Sequence, residues 1–303
     1  MKRIFKVLSI VFVGFLVWYL FLKSSDYTIN FKSKALPGTI NQSVKLWGKG
    51  LKNTLDIHQQ DFMNIIQNLS FSDSLNQYHW NIIPINDSLS KVSVGIKDLD
   101  LMKSIMNRLK VPFSKTDFTK RSENTVFDFM TVLKDHVDNF KVTIIGEEKT
   151  PSKLFAYVSI KKEQYQKAKG MMDNANFISD VLLKNDIKLD GLPMVEVLAW
   201  NIQKDSIDYN FGFPVKNMDS LPDLGEIKFK KLTQKKAIKA IFNGNYISSD
   251  RAWYQLLEYA KKQDIKLEEK PLEIFHNNPQ MGGDSSKWVT EVYMPIDTTV
   301  SKN

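Results

Sequence analysis

The chain has 303 residues, 43% of them hydrophobic and 12% aromatic, enough for real cores and against disorder. It carries a net charge of +8 and no cysteine, which excludes disulfides, thiolate catalysis and cysteine-built zinc sites. The lysines are scattered, and the densest run, residues 228–239, is interleaved with Phe229, Leu232, Ala237 and Ile238. A nucleic-acid patch needs basic residues clustered on one face, so a solvated surface is expected instead and no nucleic-acid partner.

Residues 4–22 are apolar except for Lys6 and Ser9, and Trp18, Tyr19 and Phe21 lie at the far end. Nineteen helical residues at about 1.5 Å each match a hydrocarbon core of about 30 Å. Lys6 can snorkel to the headgroups, and Trp18 and Tyr19 suit the opposite interface. A cleaved signal peptide would end at a small-x-small site, whereas this segment ends Tyr-Leu-Phe-Leu-Lys-Ser-Ser-Asp. Residues 1–25 are therefore read as an uncleaved, single-pass anchor held in the membrane through Ile4–Leu22. Lys2, Arg3 and Lys6 against Lys23 predict a cytoplasmic N-terminus and an extracytoplasmic body, at a bacterial inner membrane.

Residues 26–140 form a predicted α+β domain. Tyr27, Ile29 and Phe31 alternate with polar neighbours as in a strand, and Pro37-Gly38 is expected to break the chain. Residues 78–85 and 91–96 flank Asn86-Asp87-Ser88 as a hairpin. Two helices follow. The stronger, from about Glu123 to Asn139 with Ser122 as its cap, places Val126, Phe127, Met130, Leu133 and Val137 on one face.

Residues 141–303 contain an internal repeat. Asp186-Ile187-Lys188-Leu189 recurs as Asp264-Ile265-Lys266-Leu267, 78 positions on. Each copy is preceded by an amphipathic helix, with Tyr165, Ala168, Met172, Ala175 and Ile178 in one and Trp253, Leu256, Leu257 and Ala260 in the other. Each is followed by a strand bearing a carboxylate, Glu196 or Glu273, and by a last strand ending Phe213-Pro214-Val215 or Met294-Pro295-Ile296. Strands at 154–160 and 237–242 open the copies. The fold class is thus α+β, with two β-α-β-β repeats, about 150–215 and 227–297, facing one another across a pseudo-twofold cleft.

Alternation puts Glu273 and Phe275 on one side of their strand and Glu291 and Tyr293 on one side of the last. If the more apolar faces cover the helices, these four converge on the cleft, and Glu196, Trp200 and Asn210 join them from the first repeat. Carboxylates among aromatics suit a cationic or amphiphilic organic ligand, held by charge pairing and cation–π contact.

Residues 143–297 resemble the GyrI-like family, the effector-binding domain of AraC- and MerR-type activators. The resemblance rests on Gly244-x-Tyr246, Trp253, Glu273-x-Phe275 and Thr290-Glu291-Val292-Tyr293-Met294-Pro295-Ile296. It implies a duplicated β-α-β-β fold that binds varied small molecules between its halves, with Glu273 as the buried ligand-pairing glutamate and Tyr246 and Trp253 at the site. Phe275 departs from the tyrosine of many members, and the activators' DNA-binding helices have no counterpart. Residues 26–140 resemble, more faintly, the START-like helix-grip superfamily, through the 78–96 hairpin and its terminal helix.

The expected function is a membrane-tethered, non-catalytic small-molecule-binding protein, a sensor or sequestering protein. The resemblance also implies an alternative, a hydrolase of electrophilic small molecules using Glu273 with Tyr293 as base and hydrogen-bond donor; a structural or interaction module with a filled cleft is the other. His58, His79, His136 and His276 have no metal-ligand spacing, and phosphate loops and nucleophile elbows are absent, so no metal, cofactor or catalytic residue is assigned.

Overall fold

The computed structural model describes residues 2–298. Helix α1 (Lys2–Val17) continues into a π-helical turn, Trp18–Leu22. Together they give one helix, Arg3–Leu22, long and apolar enough to cross a membrane. The chain divides into two compact units, one up to Asp135 and one from His136 onward. Both contain an antiparallel sheet, so the fold is mixed α+β.

In the first unit β1 (Tyr27–Ser33) and α2 (Pro37–Gly50) precede four strands, β2 (Thr54–Asp61), β3 (Asn64–Ser70), β4 (Leu75–Pro84) and β5 (Ser90–Asp98). The sheet order is β1-β5-β4-β3-β2, and the predicted hairpin is present as β4–β5, with Tyr78 opposite Ile96. Helices α3 (Leu101–Lys110) and α4 (Asp117–Asp138) follow. Pro37 does not break the chain. It opens α2, where its missing N–H would have had no helical acceptor anyway. Helix α4 starts at Asp117, ahead of the predicted start. Ser122 therefore lies inside it, its hydroxyl donating to Phe118 O at 2.8 Å rather than capping. The inward stripe is Val126, Phe129 and Leu133, while Phe127 is 68% exposed. Phe129 meets Trp80 edge-on at 4.9 Å, with Trp47 against both rings.

The second unit is one eight-stranded sheet, β10-β7-β9-β8-β12-β13-β11-β6. Its strands are β6 (Lys141–Lys149), β7 (Leu154–Glu163), β8 (Met194–Asn201), β9 (Ser206–Val215), β10 (Lys228–Lys231), β11 (Lys236–Asn243), β12 (Leu272–Phe275) and β13 (Val289–Pro295). Helices α5 (Lys167–Lys184) and α6 (Arg251–Lys262) share one hydrophobic core with strands of both halves. The runs β7-α5-β8-β9 and β11-α6-β12-β13 have the same element order, and β8 pairs with β12 where they meet.

The repeated Asp-Ile-Lys-Leu has a local cause. Asp186 and Asp264 both adopt a left-handed φ of 54° just past their helices. Ile187 N–H then donates to Leu182 O at 3.0 Å, and Ile265 N–H to Ala260 O at 2.8 Å. Both are Schellman ends, which satisfy the last helical carbonyls, and aspartate tolerates the left-handed region better than most residues. Leu189 and Leu267 then bridge Val215 and Ile296, the residues that close the two runs.

Candidate functional site

Strand register decides where each predicted site residue points. Glu273 lies opposite Val292 on one side and Val195 on the other, while Leu272 lies opposite Tyr293 and Glu196, and Ile274 opposite Glu291. Side chains directly opposite each other share a face. Glu273 and Phe275 therefore face the helices. Glu196, Glu291 and Tyr293 face away from them, together with Leu272, Ile274 and Asn210. The expected convergence of Glu273, Phe275, Glu291 and Tyr293 does not occur, because the apolar pair Leu272 and Ile274 belongs to the open face.

On the helix side, five of the predicted residues lie on the buried face, and Glu273 and Trp253 among them build a buried ion-pair site. Glu273 is fully buried and accepts from the Lys167 ammonium at 2.5 Å and from Trp253 Nε1 at 2.9 Å. Lys167, 1% exposed, also donates to Ser249 Oγ at 2.7 Å and sits 4.8 Å from the Trp253 ring centroid. Its own carbonyl accepts from Tyr209 OH at 2.9 Å. Burial, and then the negative charge of Glu273, raise the Tyr209 phenol above its ordinary pKa. Trp200 meets Trp253 edge-on at 5.0 Å, and Tyr246 meets Phe275 at 4.8 Å. A carboxylate, an indole and a hydroxyl thus cage an ammonium, the chemistry expected for a cationic ligand, but the ammonium is the chain's own. Lys167 belongs to the first run and Glu273 to the second, so the pair ties the halves together.

A second buried network does the same. Gln164 donates to Asp250 at 2.7 Å and accepts from Trp200 at 2.8 Å and Tyr254 at 3.1 Å. Arg251 holds Asp250 at 2.9 Å and donates to His136 Nε2 at 3.3 Å. Burial, reinforced by the Arg251 charge, lowers His136 to a pKa of about 3.

On the open face, Glu291 accepts from Tyr293 OH at 2.6 Å, pairs with Lys239 at 3.2 Å, and lies 3.1 Å from His276 Nε2. Burial would raise its carboxyl, but the Tyr293 and Lys239 hydrogen bonds outweigh that and hold it below its ordinary value. Glu196 accepts from Asn210 at 2.8 Å and pairs with Lys230, whose ammonium also lies over the Tyr157 ring. The open volume at the meeting of the two runs is here. It is a groove of about 280 Å³, with Leu198, Leu232, Leu272 and Pro295 as its apolar lining and Glu196, Glu268, Lys230, Lys231, Lys235 and Lys270 as its charged lining. The segment linking β10 to β11 makes one wall, as Leu232 N–H bonds to Lys153 O and Thr150 N–H to Lys235 O. Lys230 and Lys235 are paired with Glu196 and Glu268, so Lys231 and Lys270 set a net positive rim.

The eight predicted residues therefore divide between opposite faces: Glu273, Phe275, Trp200, Tyr246 and Trp253 inside, Glu196, Glu291 and Tyr293 outside, and of the outer three only Glu196 lines the groove. Glu273 and Tyr293 cannot act together on one substrate. Lys167 was missed, although it shares a stripe with Met171, Ile178 and Leu182 at helical spacing, and an apolar stripe is where a lysine with a buried partner would sit.

No protein-family model matches the chain, and no curated protein does. Among solved structures, the C-terminal domain of EcmrR is similar at 16% identity and a TM-score of 0.43, over 52% of this chain and 98% of that one. EcmrR in complex with DNA gives 15% and 0.44, over 65% and 71%. SAV2435 bound to tetraphenylphosphonium gives 14% and 0.32, over 52% and 94%. None of these likenesses, all below a TM-score of 0.5, decides the fold or the function.

Proposed function

We propose that the chain is a membrane-tethered small-molecule-binding protein, with Arg3–Leu22 as its tether and a duplicated β-α-β-β body as its binding unit. The groove on the open face carries this reading, because it is the preformed space where the two halves meet. Ligand sites combine an apolar floor with a few placed polar groups, and this groove has both. Its surplus lysines favour a small amphiphile with an acidic head over the cationic ligand expected from the sequence. The interior carboxylate already holds a cation, so a second one has no unsatisfied charge to meet there. We read the first unit as helix-grip-like, on its five antiparallel strands and long final helix, and assign it no ligand.

Thermal shift of the full chain in nanodiscs tests the proposal, with 1-naphthylacetate against 1-naphthylmethylamine. A ligand that binds only the folded state raises Tm by mass action. The acid is expected to raise it and the amine to leave it unchanged. Lys231→Glu with Lys270→Glu, or Leu272→Trp filling the floor, should abolish the response. Stabilisation by the amine alone, or by the acid in all variants, would overturn the assignment.

A further inference from the structure

Helix α3 presents an apolar stripe that the described residues leave exposed. Met102, Met106, Leu109 and Phe113 are spaced four, three and four residues apart, so they lie along one side of the helix and the turn after it. They are 68%, 44%, 45% and 89% exposed. The opposite side, Ser104 and Arg108, is buried. Three large apolar side chains on ten residues of helix, continued by Phe113 in the turn after it, form a contiguous surface, not the scattered exposure that every protein shows.

What lies beside this helix identifies the cover. Arg108 Nη1 donates to the carbonyls of Leu20 at 2.9 Å and Tyr19 at 3.3 Å, in the last turn of the apolar N-terminal helix. Tyr19 OH returns a bond to Arg108 O at 2.9 Å. Arg108 Nε meanwhile bonds to Asp26 at 2.7 Å, and Ser104 Oγ bonds to the same oxygen at 2.7 Å. Asp26 in turn accepts from Asp98 N–H at 2.9 Å. The backbone of α3 is thereby fixed level with residues 18–22, where Trp18 and Tyr19 mark the end of the span. Lys103, which donates to Asp73 O, and Lys110 lie beside the stripe; Lys23 sits over the Tyr19 ring, and Lys115 pairs with Glu123, which Tyr27 at the start of β1 also bonds.

We propose that α3 and its following turn are an interfacial membrane-binding element. Met102, Met106, Leu109 and Phe113 sit in the headgroup–acyl boundary, and the neighbouring lysines meet anionic lipid headgroups. This rests on the tether proposed above, since the depth of α3 is set by the depth of the span. The first unit then touches the bilayer along two elements instead of hanging from one.

The absence of cysteine makes the test clean, because each variant carries a single label. Full-length Phe113→Cys, Met106→Cys, Phe12→Cys and Ser88→Cys are labelled with an environment-sensitive dye. They are reconstituted in vesicles of phosphatidylcholine and phosphatidylglycerol bearing nitroxides at the headgroup or mid-chain. Ser88 is the control, as it lies at the hairpin tip, at the far end of β5 from where the span joins the sheet. Dyes at positions 106 and 113 should lose emission to headgroup nitroxides, the dye at position 12 to mid-chain nitroxides, and the dye at position 88 to neither. Quenching at position 12 with positions 106 and 113 open to aqueous iodide would overturn the α3 assignment and leave the tether intact. Shielding of 106 and 113 from both lipid and iodide would also overturn it, showing that protein covers the stripe. No mid-chain quenching at position 12 would remove the tether and this inference with it.

Discussion

Lys167 and Glu273 form a 2.5 Å ion pair across the meeting of two chain runs, with both side chains essentially without solvent. Desolvating two charges offsets much of their attraction, so such a pair stabilises little compared with an apolar substitute, whereas removing one partner strands the other. Lys167→Met and Glu273→Gln should each cost roughly 3–5 kcal/mol. The double variant should recover most of that loss, because glutamine still accepts from Trp253 Nε1. Urea unfolding of the four proteins gives the cycle. Additive losses would show that the two charges act independently.

His136 makes the second unit sensitive to acid. Its folded pKa, about 3, lies below the ordinary histidine value of 6.5, so the unfolded chain takes up the proton first. Its contribution is complete above the unfolded pKa and is lost as pH falls from 6.5 towards 3, with a slope of up to about 1.4 kcal/mol per pH unit. Above pH 7 this residue should have no effect on the pH dependence. His136→Gln keeps an acceptor for Arg251 without titrating, and should flatten the acid limb of stability against pH. An unchanged limb would mean that His136 is already protonated in the fold.

Gly212 faces the backbone of β7 so closely that a Cβ there would stand 1.9 Å from Ala156 O. Backbone cannot yield as a side-chain tip can, so Gly212→Ala should cost about 3 kcal/mol or more, the upper range of overpacking. Gly50, at the end of α2 with open space around it, is the comparison. Gly50→Ala should be neutral or stabilising by up to about 1 kcal/mol, through its greater helix preference. Equal effects on the denaturation midpoint would contradict the close approach.

The left-handed aspartates predict a further contrast. Asp264→Val forces a β-branched residue into φ 54° and should lose roughly 1–2 kcal/mol, while Asp264→Gly should be tolerated. Tolerance of valine, read as an unshifted urea midpoint, would mean that the helix end adopts another geometry in solution.

Much of the fold was legible where polarity alternated cleanly. The 78–96 hairpin, the apolar N-terminal helix and the matching element order of the two runs could all be read from the residues. Strand β3 escaped because its inward positions are Ile65, Gln67 and Leu69, and Gln67 breaks the alternation. That glutamine is buried to accept from Trp80 Nε1 at 3.1 Å, a tertiary reason invisible in one strand. The site was harder. Alternation correctly paired Glu273 with Phe275 and Glu291 with Tyr293, but it carries no information on which face of one strand adjoins which face of the next. That depends on register, and one residue of offset separated the two pairs. Lys167 looked like any other surface lysine until a carboxylate from the other run was brought against it.

The Arg108 fork has a mechanical consequence. A flexible linker between a membrane helix and a domain would absorb tilting of the helix before it reached the folded part. Here one guanidinium grips the last turn of the helix and the first residue before the sheet at once. On the proposed tether, a change in bilayer thickness that tilts the span would swing β1 and its neighbours with it, so the first unit would turn as a lever about the Arg108 junction.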